Sequence, residues 1–95
     1  MAKAYLVAHI RVHDKAAFET FKAMAGPAVS EHNGKVLVRN PAADHREGAL
    51  RGISMVIEFE NMDAARRFYE SEAYTAARAV RETAADTDLL LVEGV

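Results

Sequence analysis

Glu58 lies inside the most apolar run of the chain, Ile53-Ser54-Met55-Val56-Ile57-Glu58-Phe59. A carboxylate there is either a general base held out of water or a structural group satisfied by partners, because a bare buried charge is very costly. The structural reading pairs Glu58 with an Arg or His across a subunit contact, or lets it reach water near a sheet edge. It carries more weight, since ion-pair networks occupy such positions too. His9, in Tyr5-Leu6-Val7-Ala8-His9-Ile10, is the second candidate for catalysis. It offers a proton shuttle near neutral pH, against the ordinary fate of a hydrogen-bonded histidine in a core. Tyr74, Arg78 and Arg81 recur at spacings of four and seven, which puts them on one side of a helix. An arginine there can clamp a carboxylate or phosphate. Tyr74 and Arg81 are the candidate substrate-binding pair, while Arg78 is read as a surface partner of Glu82. Glu47 joins them as a candidate binding residue from the polar stretch His45-Arg46-Glu47-Gly48, either a lid over a pocket or an exposed hairpin tip or interface arm.

The chemistry excluded is as informative. There is no cysteine, so disulfides, thiolate metal sites and cysteine nucleophiles are ruled out. His13, His32 and His45 stand at element ends without metal-ligand spacing, so no metal is expected. A net charge of −2 gives no general attraction to nucleic acid or to an anionic membrane. No apolar run approaches the length of a membrane span, and Met1-Ala2-Lys3 runs into a strand pattern without a signal peptide, so a cytoplasmic protein is expected. At 95 residues, with 51% apolar and 27% charged side chains, one globular domain over 1–95 is expected. So small a domain buries little more than about 60% of its unfolded surface, and a second copy would add useful stability.

The elements that must position these residues follow from periodicity. Residues 5–12 alternate, with Leu6, Ala8, Ile10 and Val12 on one face and Tyr5, Val7, His9 and Arg11 on the other. Asp14 caps a helix carrying Phe18, Phe21, Met24 or Ala25, and Ala28 at helical spacing, with Gly26-Pro27 able to bend it. Asn33-Gly34 closes it, with Gly34 suited to the left-handed cap. Residues 35–39 form a short strand and 40–50 a long polar connection. Residues 51–60 form the third strand, with Ile53, Met55, Ile57 and Phe59 opposite Ser54, Val56 and Glu58. Asn61 caps a helix that breaks at a second cap, Ser71, and restarts at Glu72 to run to about Ala85. Residues 89–93 are the last strand.

The order βαββαβ with right-handed crossovers gives an α+β ferredoxin-like plait. Its four-stranded antiparallel sheet has the order 4-1-3-2, with both helices on one face. The other face carries Tyr5, Val7 and Val56 beside His9 and Glu58, too apolar to stay bare. The expected cover is the same face of a second molecule. His9 and Glu58 share that face on neighbouring antiparallel strands, but both come late in their strands. They therefore fall toward opposite ends unless the register is shifted, and a direct pair within one subunit is not expected, which leaves a meeting across a two-fold axis open. The RNA-recognition module shares this strand order but reads bases with strand aromatics, and Ser54, Val56 and Glu58 offer none.

The whole pattern resembles the bacterial domain-of-unknown-function proteins of the dimeric α/β-barrel superfamily. The resemblance rests on Tyr5-Leu6-Val7-Ala8-His9-Ile10 with Asp14, on Glu47-Gly48 and on Val56-Ile57-Glu58-Phe59. It continues through Ala64-Ala65-Arg66-Arg67-Phe68-Tyr69, Ser71-Glu72-Ala73-Tyr74, Arg81 and Leu91-Val92-Glu93-Gly94. Asn33-Gly34 stands where the family commonly has a double glycine, and Phe18 and Phe21 stand where it often has tyrosines. The resemblance implies the fold and a homodimer. It also implies that Phe18, Phe21, Phe59, Phe68 and Tyr69, mainly core, can line a ligand cleft between helices and sheet. The expected function is a homodimer binding a small organic molecule, or an enzyme using no cofactor for proton transfer or oxidation. Glu58 or His9 would then act as base and Arg81 or Tyr74 would orient the substrate. The rival expectation is a non-catalytic dimer whose polar strand residues fix assembly.

Overall fold

Alternation in residues 4–12 builds the central strand. Ala4, Leu6, Ala8 and Ile10 are buried, while Tyr5, Val7, His9 and Arg11 are half-buried on the other face. The computed structural model describes residues 2–95, so Met1 lies outside the described residues. Its elements run β1 (Ala4–Val12), α1 (Lys15–Glu31), β2 (Lys35–Asn40), β3 (Ile53–Phe59), α2 (Met62–Glu70), α3 (Glu72–Ala84) and β4 (Ala85–Glu93). β1 pairs antiparallel with β3 on one side and β4 on the other, and β2 adds to β3. The sheet order β2-β3-β1-β4 is the expected one read from the opposite edge. The inner strand residues pack with Phe18, Phe21, Ala28, Ala65, Phe68, Tyr74 and Ala77 of the helices in one core. Phe59 and Phe68 are its largest fully buried side chains, with ring centroids 5.1 Å apart.

The helix starts fall where the caps predict them. Asp14 accepts from the Ala17 amide at 3.1 Å, and Asn61 Oδ1 accepts from the Ala64 amide at 2.8 Å. Ser71 separates two helices with one hydroxyl. Its Oγ donates to the Phe68 carbonyl at 2.7 Å and accepts from the Tyr74 amide at 3.2 Å.

Pro27 sits within α1, which continues to Glu31 as one element. Two details differ from the sequence expectation. Asn33, not Gly34, takes the left-handed conformation, at φ 56°. Gly34 is needed for space instead. A Cβ there would lie 2.8 Å from Val29 Cγ1, 2.9 Å from Phe59 Cε1 and 3.2 Å from Ile57 Cγ2. Gly34→Ala is therefore expected to cost about 1–3 kcal/mol by overpacking, read as a lower urea midpoint at unchanged slope. Finally, β4 begins at Ala85 rather than Leu89. Asp86 and Asp88 look like turn residues, yet they lie opposite Arg11 and His9 of β1, and Arg11 Nη2 meets Asp88 Oδ2 at 2.9 Å.

Candidate functional site

Helix α1 packs mainly against α3 and stands off the sheet. Beneath it lies a cavity of about 540 Å³, within the range of small-molecule sites. Leu6, Ala8 and Ile10 of β1 with Met55 and Ile57 of β3 line the sheet side, and Phe18, Phe21 and Val29 line the α1 side. Tyr74 and Arg81 form the buried polar end, at 4% and 5% exposure. Lys22, Ser30, Arg39 and Pro41 form the exposed rim.

Tyr74 and Arg81 are seven positions apart, about two turns of α3, and this lets the arginine reach back along the helix. Arg81 Nη1 donates to Tyr74 Oη at 2.5 Å. The guanidinium carbon lies 5.7 Å from the Phe21 ring centroid and 5.9 Å from that of Tyr74. Among the described residues Arg81 forms no ion pair with a carboxylate, and its Nε has no hydrogen-bond partner. Desolvating such a cation costs several kcal/mol, against about 0.5–2 kcal/mol regained from each aromatic face. The arginine is thus a buried charge only partly satisfied by its own chain.

Burial pushes the Tyr74 hydroxyl pKa up, and the adjacent Arg81 charge pulls it only part of the way back. Tyr74 is therefore a neutral phenol at physiological pH. Its oxygen accepts from Arg81, so its own hydrogen is free to donate to a third group. The cavity end thus presents a cation and a neutral donor. Among the described residues no Asp, Glu or His lines the cavity, whose charged residues are Lys22, Arg39 and Arg81.

The other candidates lie elsewhere. Glu58 is half-buried on the outer sheet face, opposite Tyr5 of β1 and Lys35 of β2, and Tyr5 Oη donates to its Oε2 at 3.4 Å. His9 lies opposite Ser54 and Asp88. The partner of Glu58 on β1 is four residues from His9, roughly 13 Å along the strand, so the two do not meet within one chain. Glu47 is exposed in the connection between β2 and β3. None of these three lines the cavity, whereas Tyr74 and Arg81 converge in it. Arg78 turns outward, donating to Tyr69 Oη at 2.8 Å and lying 3.5 Å from Glu82.

The sequence reading missed two rim cations. Lys22 was recoverable, because it shares a helical face with Phe18, Ala25 and Val29. Arg39 was not. Strict alternation from Val36 would put Val38 on the inner face, but an irregularity between Val36 and Val38 shifts the register. Arg39 then pairs with Met55 and joins the cavity.

A four-stranded antiparallel plait with its helices on one face and a cavity beneath the first helix defines a ferredoxin-like α+β protein. Residues 3–95 match the family described as Domain of unknown function (DUF1330), and the chain belongs to that family. The sequence resemblance is thereby confirmed. Among solved structures, a protein of unknown function from Rhodopseudomonas palustris superposes with a TM-score of 0.81 at 15% identity, over 99% of this chain and 83% of that one. SnoaB, a cofactor-independent oxygenase from Streptomyces nogalater, gives 0.70 at 16% identity, over 100% and 95%. A dimeric protein of unknown function and ferredoxin-like fold from Bacteroides fragilis gives 0.64 at 12% identity, over 97% and 96%. Identities this low speak for the fold alone. No curated protein matches the chain. No helix among the described residues is long and apolar enough to cross a membrane, and no three metal-binding side chains cluster there.

Proposed function

We propose that this chain is a homodimer that binds a small organic molecule in the cavity between α1 and the sheet. The observation that carries the reading is Arg81, 5% exposed and without a carboxylate partner among the described residues, at the buried end of a cavity whose walls are mainly apolar. A side chain kept solely for packing would not hold a charge there, since well-packed apolar residues are often as stable or more so. Tyr74 and Arg81 are assigned as the binding pair. Oxidation of a bound substrate without a cofactor is the enzymatic form of this reading, and the likeness to a cofactor-independent oxygenase supports it. The absence of Asp, Glu and His from the lining favours binding, or chemistry on an already activated substrate, over reactions needing a protein base.

Glu58 and His9 are assigned to assembly, because both lie on the outer sheet face and outside the cavity. The likeness to a dimeric protein supports pairing of two copies, and the exposed apolar residues of the outer face, Leu90 and Val92 among them, are why that face is assigned to the contact. A thermal-shift and native-mass screen against a metabolite library tests the reading. Ligands are expected to stabilise the protein, and the double variant Tyr74→Phe with Arg81→Met should lose that stabilisation. A broad library yielding no ligand would leave the chain as a structural dimer.

A further inference from the structure

The chain is net acidic, yet among the described residues every charged side chain that lines the cavity is a cation. The full sequence carries a net charge of −2, while Lys22, Arg39 and Arg81 are the charged residues of the lining. Two of these stand at the exposed rim and one at the buried end. Lys22 is already engaged by Glu19 at 2.8 Å, and Arg39 has no acidic partner among the described residues. At the buried end, Arg81 directs one of its five N–H groups to Tyr74 and leaves Nε without an acceptor. Tyr74 has its own hydrogen to give, because its oxygen is taken by Arg81. Every polar feature of this end therefore donates, and none calls for a donor in return.

We propose that the cavity selects an amphipathic monoanion, with a carboxylate received by Arg81 and Tyr74 and an apolar body held between α1 and the sheet. The proposal deepens the small-molecule reading above and rests on it. A carboxylate is favoured over a phosphate ester for two reasons. One buried guanidinium balances one charge, and a dianion would bring a second charge into walls made of Leu6, Ala8, Phe18, Phe21 and Ile57. A planar carboxylate also matches the guanidinium fork and leaves a lone pair for the tyrosine hydrogen. The rim cations draw anions toward the mouth without fixing their orientation.

Calorimetric titration of 2-naphthoate, 2-naphthalenemethanol and 2-naphthyl phosphate tests this on the full chain and on the variants Arg81→Met and Tyr74→Phe. The acid is expected to bind about tenfold or more tightly than the alcohol, as a charge-assisted hydrogen bond allows. The phosphate should bind more weakly than the acid. In Arg81→Met the acid should fall to the affinity of the alcohol, while the alcohol changes by less than about threefold, which also shows that the variant cavity is intact. Tyr74→Phe should weaken the acid by about three- to tenfold and spare the alcohol. Equal binding of acid and alcohol overturns the charge selection and leaves the small-molecule reading standing. Tighter binding of the phosphate overturns the monoanion. An acid preference that survives Arg81→Met moves recognition to the rim and overturns the assignment. If no naphthalene probe binds, the library screen decides. Anionic ligands lost in Arg81→Met uphold the proposal, exclusively neutral or cationic ligands overturn it alone, and no ligand at all overturns both readings.

Discussion

Replacing Tyr74 by Phe and Arg81 by Met together is expected to stabilise the ligand-free protein by about 1–4 kcal/mol while removing the proposed ligand binding. Both side chains are almost fully buried, and their only mutual compensation is one hydrogen bond and the aromatic faces of Phe21 and Tyr74. Met keeps the length of the arginine stem without its charge, and Phe keeps the ring that packs 4.5 Å from Phe68, centroid to centroid. The single variants should behave differently. Tyr74→Phe strips a buried cation of its hydrogen bond and should cost about 1–3 kcal/mol. Arg81→Met removes the charge but leaves the Tyr74 hydroxyl buried without its donor, so gain and loss offset. The four proteins therefore form a strongly non-additive cycle, as expected for groups in contact. Urea unfolding at constant slope measures it. A double variant destabilised by the sum of the singles would mean that the pair earns its place structurally, and the functional assignment would fall with it.

The legible parts of this molecule are those encoded locally. Alternation in Leu6-Val7-Ala8-His9-Ile10 specifies a strand and its buried face, because one face must pack on the helices. Asp14, Asn61 and Ser71 specify helix starts because each side chain closes a bond only three residues away. The spacing of Tyr74 and Arg81 places them on one helix side for the same reason. Features set by a neighbouring strand were not legible. The irregularity that turns Arg39 inward lies in an edge strand whose residues are all exposed, so no hydrophobic pattern records it. The early start of β4 comes from its pairing with β1, whose ladder extends to Ala85 opposite Val12. Gly34 was misread because its own segment shows only a helix end, whereas the demand on it comes from Val29, Phe59 and Ile57. The standoff of α1 that opens the cavity is likewise a tertiary matter. Thus the sequence could name Tyr74 and Arg81 but could not say that a cavity would meet them rather than Glu58.

Val56→Lys is expected to convert the proposed dimer into a folded monomer. Register explains the choice. Val38 pairs with Val56, Val56 with Val7, and Val7 with Leu90, so one aliphatic row crosses all four strands of the outer face. The row through Lys35, Glu58, Tyr5 and Val92 lies on one side of it. The row through Asn40, Ser54, His9 and Asp88 lies on the other. An apolar band flanked by rows that are mainly polar, Val92 excepted, is the anatomy of an interface with a dry centre and a hydrated rim. Leu90 and Val92 are 54% and 45% exposed in the single chain, the state that a partner would relieve. Two-fold symmetry makes the substitution act twice. Each copy brings a lysine to the centre, where juxtaposed like charges cost several kcal/mol and thus weaken the dissociation constant by at least about a hundredfold. The fold should survive, because Val56 points away from the core that Ile57 and Phe59 enter. Light scattering at micromolar concentration distinguishes the outcomes. A monomeric wild type would refute the dimer outright, and a Val56→Lys variant that stays dimeric would move the interface off this face. In the expected case Glu58→Gln should loosen the dimer much less, because that carboxylate stands in the flanking row with the Tyr5 hydroxyl already beside it.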